Sequence, residues 1–166
     1  LLGRLMDARG CLPNTADQTK PLLLKIAPDL TDDDKRDIAE VAVAMKLDGL
    51  IATNTTITRP DSLSAAQKTE MGGLSGAPLK SLSLQLVKDM YQLTNGTVPI
   101  IGVGGIATAE DAYERIKAGA SLVQIYSAMV YGGPYLAHKI ATELAALLKA
   151  DGIASVSDAV GTSVSG

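Results

Sequence analysis

The chain has 166 residues, 46% of them hydrophobic, and a net charge of −3 from 15 basic and 18 acidic side chains. That length supports one domain with a sizeable core, and that balance excludes intrinsic disorder, which combines low hydrophobicity with high net charge. The basic residues form no block or stripe, which argues against binding nucleic acid through phosphate neutralisation. A lone cysteine, Cys11, leaves no disulfide framework or thiolate metal site, and a lone histidine, His138, leaves no His-rich metal centre. With no Trp and no Phe the core must be aliphatic. No apolar run approaches the roughly 20 residues of a membrane-spanning helix.

In chain order, Leu1, Leu2, Leu5 and Met6 share a helical face, so the chain opens as though already inside a helix and is expected to be a piece of a longer protein. Leu22 to Ile26 form a short apolar run. Thr31 then opens a helix, with Asp34 completing a capping box and Asp32 and Asp33 at the positive helix end. Its apolar face is predicted as Ile38, Val41, Ala42 and Met45. A second run, Gly49 to Ala52, is followed by a long connection containing Gly72-Gly73-Leu74-Ser75-Gly76. Ser81 is predicted to cap the next helix, buried through Leu82, Leu86, Val87 and Met90. The third run, Val98 to Val103, leads into Gly104-Gly105, and Thr108 and Asp111 cap a helix ending at Ala118-Gly119. The fourth run is Leu122 to Ile125, and the last helix follows Pro134 with Ile140, Leu144, Leu147 and Leu148 inward. His138 on that helix reads as a surface or packing residue.

These are about four strand-then-helix units, and the strands are continuous apolar runs, as in a parallel sheet covered on both faces. Either an open doubly wound sheet or part of a (β/α)8 TIM barrel accommodates them. The polar and glycine residues follow every strand: Lys25 and Asp29, Thr53 to Thr56, Gly104-Gly105, and Tyr126-Ser127. A ring of such residues at all the strand C-termini is the barrel pattern, whereas an open sheet gathers them at one switch point. A full barrel takes about 250 residues, so residues 1–166 are expected to be the C-terminal portion of a single barrel domain, its last four βα units.

In barrels the last two loops commonly bind phosphate. Gly104 and Gly105 let backbone N–H groups approach anionic oxygens, and Tyr126 and Ser127 add hydroxyl donors. The same glycines also suit a tight strand-to-helix turn. Lys25 at the end of its strand is a fixed cation facing the barrel mouth or a lysine reaching to solvent. Thr53-Asn54-Thr55-Thr56 offers both donors and acceptors to the edge of a planar polar ligand, and is equally ordinary turn chemistry.

Five stretches carry a family resemblance: Lys25-Ile26-Ala27-Pro28-Asp29-Leu30, Asp48 to Thr56, Gly72 to Gly76, Pro99 to Gly105, and Gly119 to Tyr126. In content, order and spacing the chain resembles the quinone-linked, class 2 dihydroorotate dehydrogenases over nearly all of residues 20 to 161. The resemblance implies an FMN enzyme on a (β/α)8 barrel that oxidises dihydroorotate to orotate in de novo pyrimidine (UMP) biosynthesis and passes the electrons to a quinone. It implies that Lys25, Thr53, Gly76, Gly105, Tyr126 and Ser127 contact FMN, joined by Gly104 of the phosphate cradle, and that Asn54 and Thr55 hold the orotate ring. Ser127 stands where many members have Thr, with the same hydroxyl. Lys25 would stabilise the negative charge that accumulates on the reduced flavin.

The family's general base is a serine in the earlier half of the barrel, so no catalytic base and no metal ligand is assigned in this sequence. The helical pair that forms the quinone tunnel and touches the membrane also precedes it. The implied location is membrane-associated: the mitochondrial inner membrane in a eukaryote, the cytoplasmic membrane in a bacterium. Two alternatives stay open: another FMN- or phosphate-binding barrel enzyme, such as a dihydrouridine synthase or hydroxyacid oxidase relative, and a non-catalytic barrel fragment.

Overall fold

The structure is a computed structural model, and it describes residues 1–11, 20–61, 63 and 68–164. Four strands, β1 (Leu23–Ile26), β2 (Gly49–Ala52), β3 (Ile100–Val103) and β4 (Leu122–Gln124), form one sheet. They are parallel throughout and lie in the order β1-β2-β3-β4. The helices are α1 (Leu2–Gly10), α2 (Asp32–Ala44), α3 (Lys80–Leu93), α4 (Ala109–Lys117), α5 (Ser127–Gly132), α6 (Leu136–Ala150) and α7 (Val156–Ala159). No described helix is long and apolar enough to cross a membrane.

A strand order that follows the chain has no switch point. Each right-handed crossover therefore returns its helix to the same face. This separates the two architectures left open by the sequence: the four units form an arc of a barrel rather than a doubly wound sheet. The helix side is the closed side. Ile26, Leu50, Ala52 and Ile100 pack there with Ala39 and Ala42 of α2 and Leu86, Val87 and Met90 of α3. A second cluster joins Ala109, Tyr113 and Ile116 of α4 to Leu144 and Leu148 of α6 and Ala159 of α7. On the opposite face Lys25, Ile51, Ile101 and Leu122 stand in register across the four strands. Ile51 and Ile101 are only half-buried, and Leu122 is 62% exposed. This row is the concave side of the arc, and β1 and β4 are its edges, open among the described residues.

Local chemistry sets the helix starts. The capping boxes at Thr31–Asp34 and Thr108–Asp111 are both formed, and Ser155–Asp158 adds a third at α7. The predicted Ser81 cap is not used. Pro78 sits in a 3-10 turn over Ala77–Leu79 that runs straight into α3, so the helix starts before Ser81 and has no side-chain cap. The buried face is Ser83, Leu86, Val87 and Met90, one stripe at i, i+3, i+4 and i+7. Leu82 is 39% exposed, and Ser83 is the buried residue in its place. On α2 Val41 is likewise exposed, and the small Ala39 and Ala42 make the contact. α5 and α7 lie outside the predicted elements. His138 is exposed on α6 and Cys11 is exposed at the end of α1.

Candidate functional site

A cleft of about 550 Å³ opens at the C-terminal ends of the four strands. Lys25 from β1 and Thr53, Asn54 and Thr55 just after β2 line one side. Gly76, Gly104 and Gly105 line the floor, and Tyr126 and Ser127 line the side beyond β4. The nine residues singled out in the sequence therefore share one cavity. Ser75, Gln124 and Tyr131 line it as well and were not anticipated. Ser75 is one hydroxyl in a serine-rich connection, and only its position in space distinguishes it.

Each wall is built by backbone bonds made just beyond the strands. The Thr53 N–H donates to Val103 O at 3.0 Å, and the Asn54 N–H donates to Ile26 O at 2.8 Å. The Thr53 hydroxyl turns back onto Asn54 O at 2.6 Å. Thr53 is thereby buried, while Asn54 and Thr55 are exposed toward the cleft they line. The glycine-rich segment is pinned against this wall by a two-residue bridge. Thr56 N–H donates to Leu74 O at 3.0 Å and Leu74 N–H to Thr56 O at 2.8 Å. Asp29 anchors the Thr56 side of this bridge, receiving the Thr56 hydroxyl and, at 3.1 Å, the Ile57 N–H. Gly73 packs so closely on Thr55 that any Cβ there would overlap the Thr55 side chain.

The Gly104-Gly105 turn has a structural reason for its glycines. Both have positive φ, +121° and +69°. A Cβ on Gly104 would lie 3.0 Å from the Leu79 side chain, and one on Gly105 would lie 2.6 Å from the Lys80 Cα. The missing side chains thus make room for the start of α3 rather than for a ligand. The backbone of the turn nevertheless lines the cleft.

Beneath the turn lies Arg115 of α4, 1% exposed, a residue that no sequence motif marks out. Its guanidinium donates to Gly104 O at 2.9 Å, to Lys80 O at 3.3 Å and to the Ser83 hydroxyl, which in turn donates to Val103 O. Burial lowers its pKa to about 10, so it stays charged at neutral pH. Next to it Lys80 and Asp111 form an ion pair. Burial pushes the Asp111 carboxyl up, but Lys80 and the Ala107 and Thr108 N–H groups hold it below the usual carboxylate value. Lys80 is raised, chiefly by its hydrogen bond to Asp111.

No carboxylate lines the cleft among the described residues, and Lys25 is the ionic group on its wall. Hydroxyls of Ser75 and Ser127, glycine backbone, one ammonium and the side-chain amides of Asn54 and Gln124 make a donor-rich set suited to an anionic ligand with a polar planar ring.

A sequence profile of the family described as dihydroorotate dehydrogenase matches residues 7–148. The chain is 60% identical over 141 residues to a Rhodospirillum rubrum protein named dihydroorotate dehydrogenase (quinone), covering 85% of this chain and 38% of that protein. It is 51% identical over 161 residues to the Mus musculus protein named dihydroorotate dehydrogenase (quinone), mitochondrial, covering 97% of this chain and 40% of that protein. The crystal structure of the Eimeria tenella dihydroorotate dehydrogenase in complex with ferulenol superposes with a TM-score of 0.87 at 53% identity, over 92% of this chain and 40% of that one. The chain thus spans about two fifths of the length of these relatives, as an arc of their (β/α)8 barrel. It belongs to the dihydroorotate dehydrogenase family.

Proposed function

We propose that residues 1–166 are the C-terminal portion of a single FMN-binding barrel domain whose activity is the oxidation of dihydroorotate to orotate with a quinone as acceptor, in pyrimidine biosynthesis. The observation that carries this reading is the convergence of Lys25, Thr53, Asn54, Thr55, Gly76, Gly104, Gly105, Tyr126 and Ser127 on one carboxylate-free cleft in a chain of this family. The names of the bacterial and mouse relatives supply the quinone.

FMN, when bound, supplies the two-electron acceptor for turning a C–C bond into C=C. The roles left to this chain are holding and polarising. The Gly104-Gly105 backbone, the Tyr126 segment and the Ser127 hydroxyl hold the phosphate. Thr53 and Gly76 shape the cleft wall around the ring system. Lys25 brings its ammonium to the place where negative charge develops, a preorganised electrostatic role. The Asn54 amide and the Thr55 hydroxyl hold the edge of the orotate ring, fixed by the backbone bonds on either side of β2. The proton acceptor comes from the part of the barrel that precedes these strands in the family. Membrane association, at the mitochondrial inner membrane or a bacterial cytoplasmic membrane, belongs with that same preceding part.

The test joins this chain to the N-terminal barrel portion of the Rhodospirillum rubrum relative and measures bleaching of bound FMN under anaerobic conditions. Rapid bleaching by dihydroorotate but not by lactate or NADPH is expected. Bleaching by another donor in preference to dihydroorotate assigns the cleft to a different flavin barrel enzyme, and failure to retain FMN removes the reading altogether.

A further inference from the structure

We propose that Arg115 is a positioning residue that aims the Gly104-Gly105 turn at a phosphate monoester in the cleft and holds a positive charge beneath it. This deepens the flavin reading and rests on it for the identity of the ligand, though not for its anionic class. The Gly104 carbonyl points down to the Arg115 guanidinium at 2.9 Å. In a planar trans peptide the following N–H points the opposite way, so the Gly105 N–H is turned away from Arg115. Gly105 itself lines the cleft. The Val103 carbonyl is fixed similarly, by the Thr53 N–H and by the Ser83 hydroxyl that Arg115 also holds.

The charge is the second part. All the hydrogen-bond partners of Arg115 among the described residues are neutral: two carbonyls and a hydroxyl. Its Nε has no partner among them. Asp111 and Glu114 act on Arg115 through space but neither is hydrogen-bonded to it: Asp111 is held by Lys80 and by the Ala107 and Thr108 N–H groups, and Glu114 is exposed and 3.8 Å from Lys80. A buried cation without a paired carboxylate is costly. A neutral amide could hold two carbonyls equally well. A guanidinium does more, because its field acts through a low-dielectric floor on whatever sits above the turn.

The test titrates inorganic phosphate, FMN and riboflavin into the ¹⁵N-labelled full chain and into Arg115→Met and Arg115→Lys, following the Gly105 amide resonance, with circular dichroism to check folding. Phosphate and FMN are expected to move the Gly105 amide. Arg115→Met weakens both by about tenfold or more and leaves riboflavin binding unchanged, while Arg115→Lys, which keeps the charge but not the fork, recovers part of the loss. Wild-type affinity for phosphate and FMN in folded Arg115→Met overturns the proposal and leaves the flavin reading intact. Phosphate binding that depends on Arg115 without any FMN binding removes the flavin reading and leaves the proposal standing. No response of Gly105 to either anion in the unsubstituted chain overturns both. If Arg115→Met does not fold, Arg115→Lys decides, and a phosphate affinity equal to wild type overturns the proposal.

Discussion

The hydroxyls of Ser75 and Ser127 lie 2.9 Å apart, although 52 positions separate them in the chain. This bond ties the glycine-rich segment after β2 to the first residue of α5, joining two sides of the cleft. Ser127→Ala removes both the tie and a hydroxyl from the proposed phosphate contacts. One such hydrogen bond is worth about 0.5–1.5 kcal/mol, so FMN affinity is expected to fall by about two- to tenfold, and Ser127→Thr is expected to preserve it. Flavin fluorescence titration measures both, and an Ala variant with wild-type affinity takes the hydroxyl out of the phosphate contacts.

Lys25 stands in register with Ile51 on the concave face, its ammonium at the cleft. A cation placed where charge appears only as reaction proceeds acts on the rate rather than on ground-state binding. In the chain completed with the upstream barrel portion, Lys25→Ala is expected to slow flavin reduction by about 10²–10³-fold, with orotate affinity nearly unchanged. Stopped-flow bleaching gives the rate. A normal rate with weakened orotate binding would move Lys25 from charge stabilisation to substrate binding.

Asn54 is held at its backbone on both sides, by the N–H donated to Ile26 O and by the Thr53 hydroxyl on its own carbonyl. Its side chain is therefore presented to the cleft by a rigid support. Asn54→Ala is expected to weaken orotate binding by about 1–3 kcal/mol, the cost of an unpaired polar edge, and to leave FMN bound. Titration of orotate against the flavin spectrum reads both at once. Loss of FMN with orotate affinity intact places Asn54 on the cofactor side of the cleft.

The parts of this site legible in the sequence are those set by neighbours a few positions apart. The capping boxes at Thr31 and Thr108 need only residues at i and i+3, and both are formed. The residues that follow each strand are collected by the parallel order itself, so a list of strand ends is already a list of cleft residues. Arg115 was not legible because Tyr113-Glu114-Arg115-Ile116-Lys117 reads as an ordinary solvated helix turn. Its burial depends on Gly102 of β3, where a Cβ would overlap the arginine stem, and on Ser83 of α3. The Ser81 cap failed for a related reason: the turn at Pro78 had already started the helix.

Asp111 and Lys80 make stability depend on pH at both ends. The folded-state pKa of Asp111 is lowered, so its contribution is full above the ordinary carboxylate value of 3.8 and is lost as pH falls through the folded value. Lys80 is raised, so its contribution is full below its ordinary 10.5 and is lost as pH rises through the folded value. Asp111→Ala removes the pair and the acceptor for the Ala107 and Thr108 N–H groups. Hydrogen bonds to a charged group are worth about 1.5–3 kcal/mol, and a loss of that order is expected at pH 7. Denaturant melts of the two proteins should converge well below pH 3.8. A gap as large there as at pH 7 attributes the effect to packing instead of charge.

The concave row of Lys25, Ile51, Ile101 and Leu122, together with the open edges of β1 and β4, leads to the last prediction. An uncovered apolar face and unpaired strand edges invite association with other strands. The relatives are more than twice as long as this chain. The chain by itself is expected not to oxidise dihydroorotate, because a general base contributes about 10²–10⁴-fold and none is assigned among its residues. It retains Lys25, Ser127 and the Gly104-Gly105 turn, so weak FMN binding is expected to remain. Adding the separately produced N-terminal barrel portion of the Rhodospirillum rubrum relative is expected to reduce binding of an apolar dye, tighten FMN and bring up turnover with a quinone acceptor. Dye binding follows burial of the concave face, and orotate formation follows the chemistry. Turnover by the chain alone, at a rate the added portion does not raise, would show that proton removal needs nothing beyond these residues and would overturn the division of roles between the two parts of the barrel.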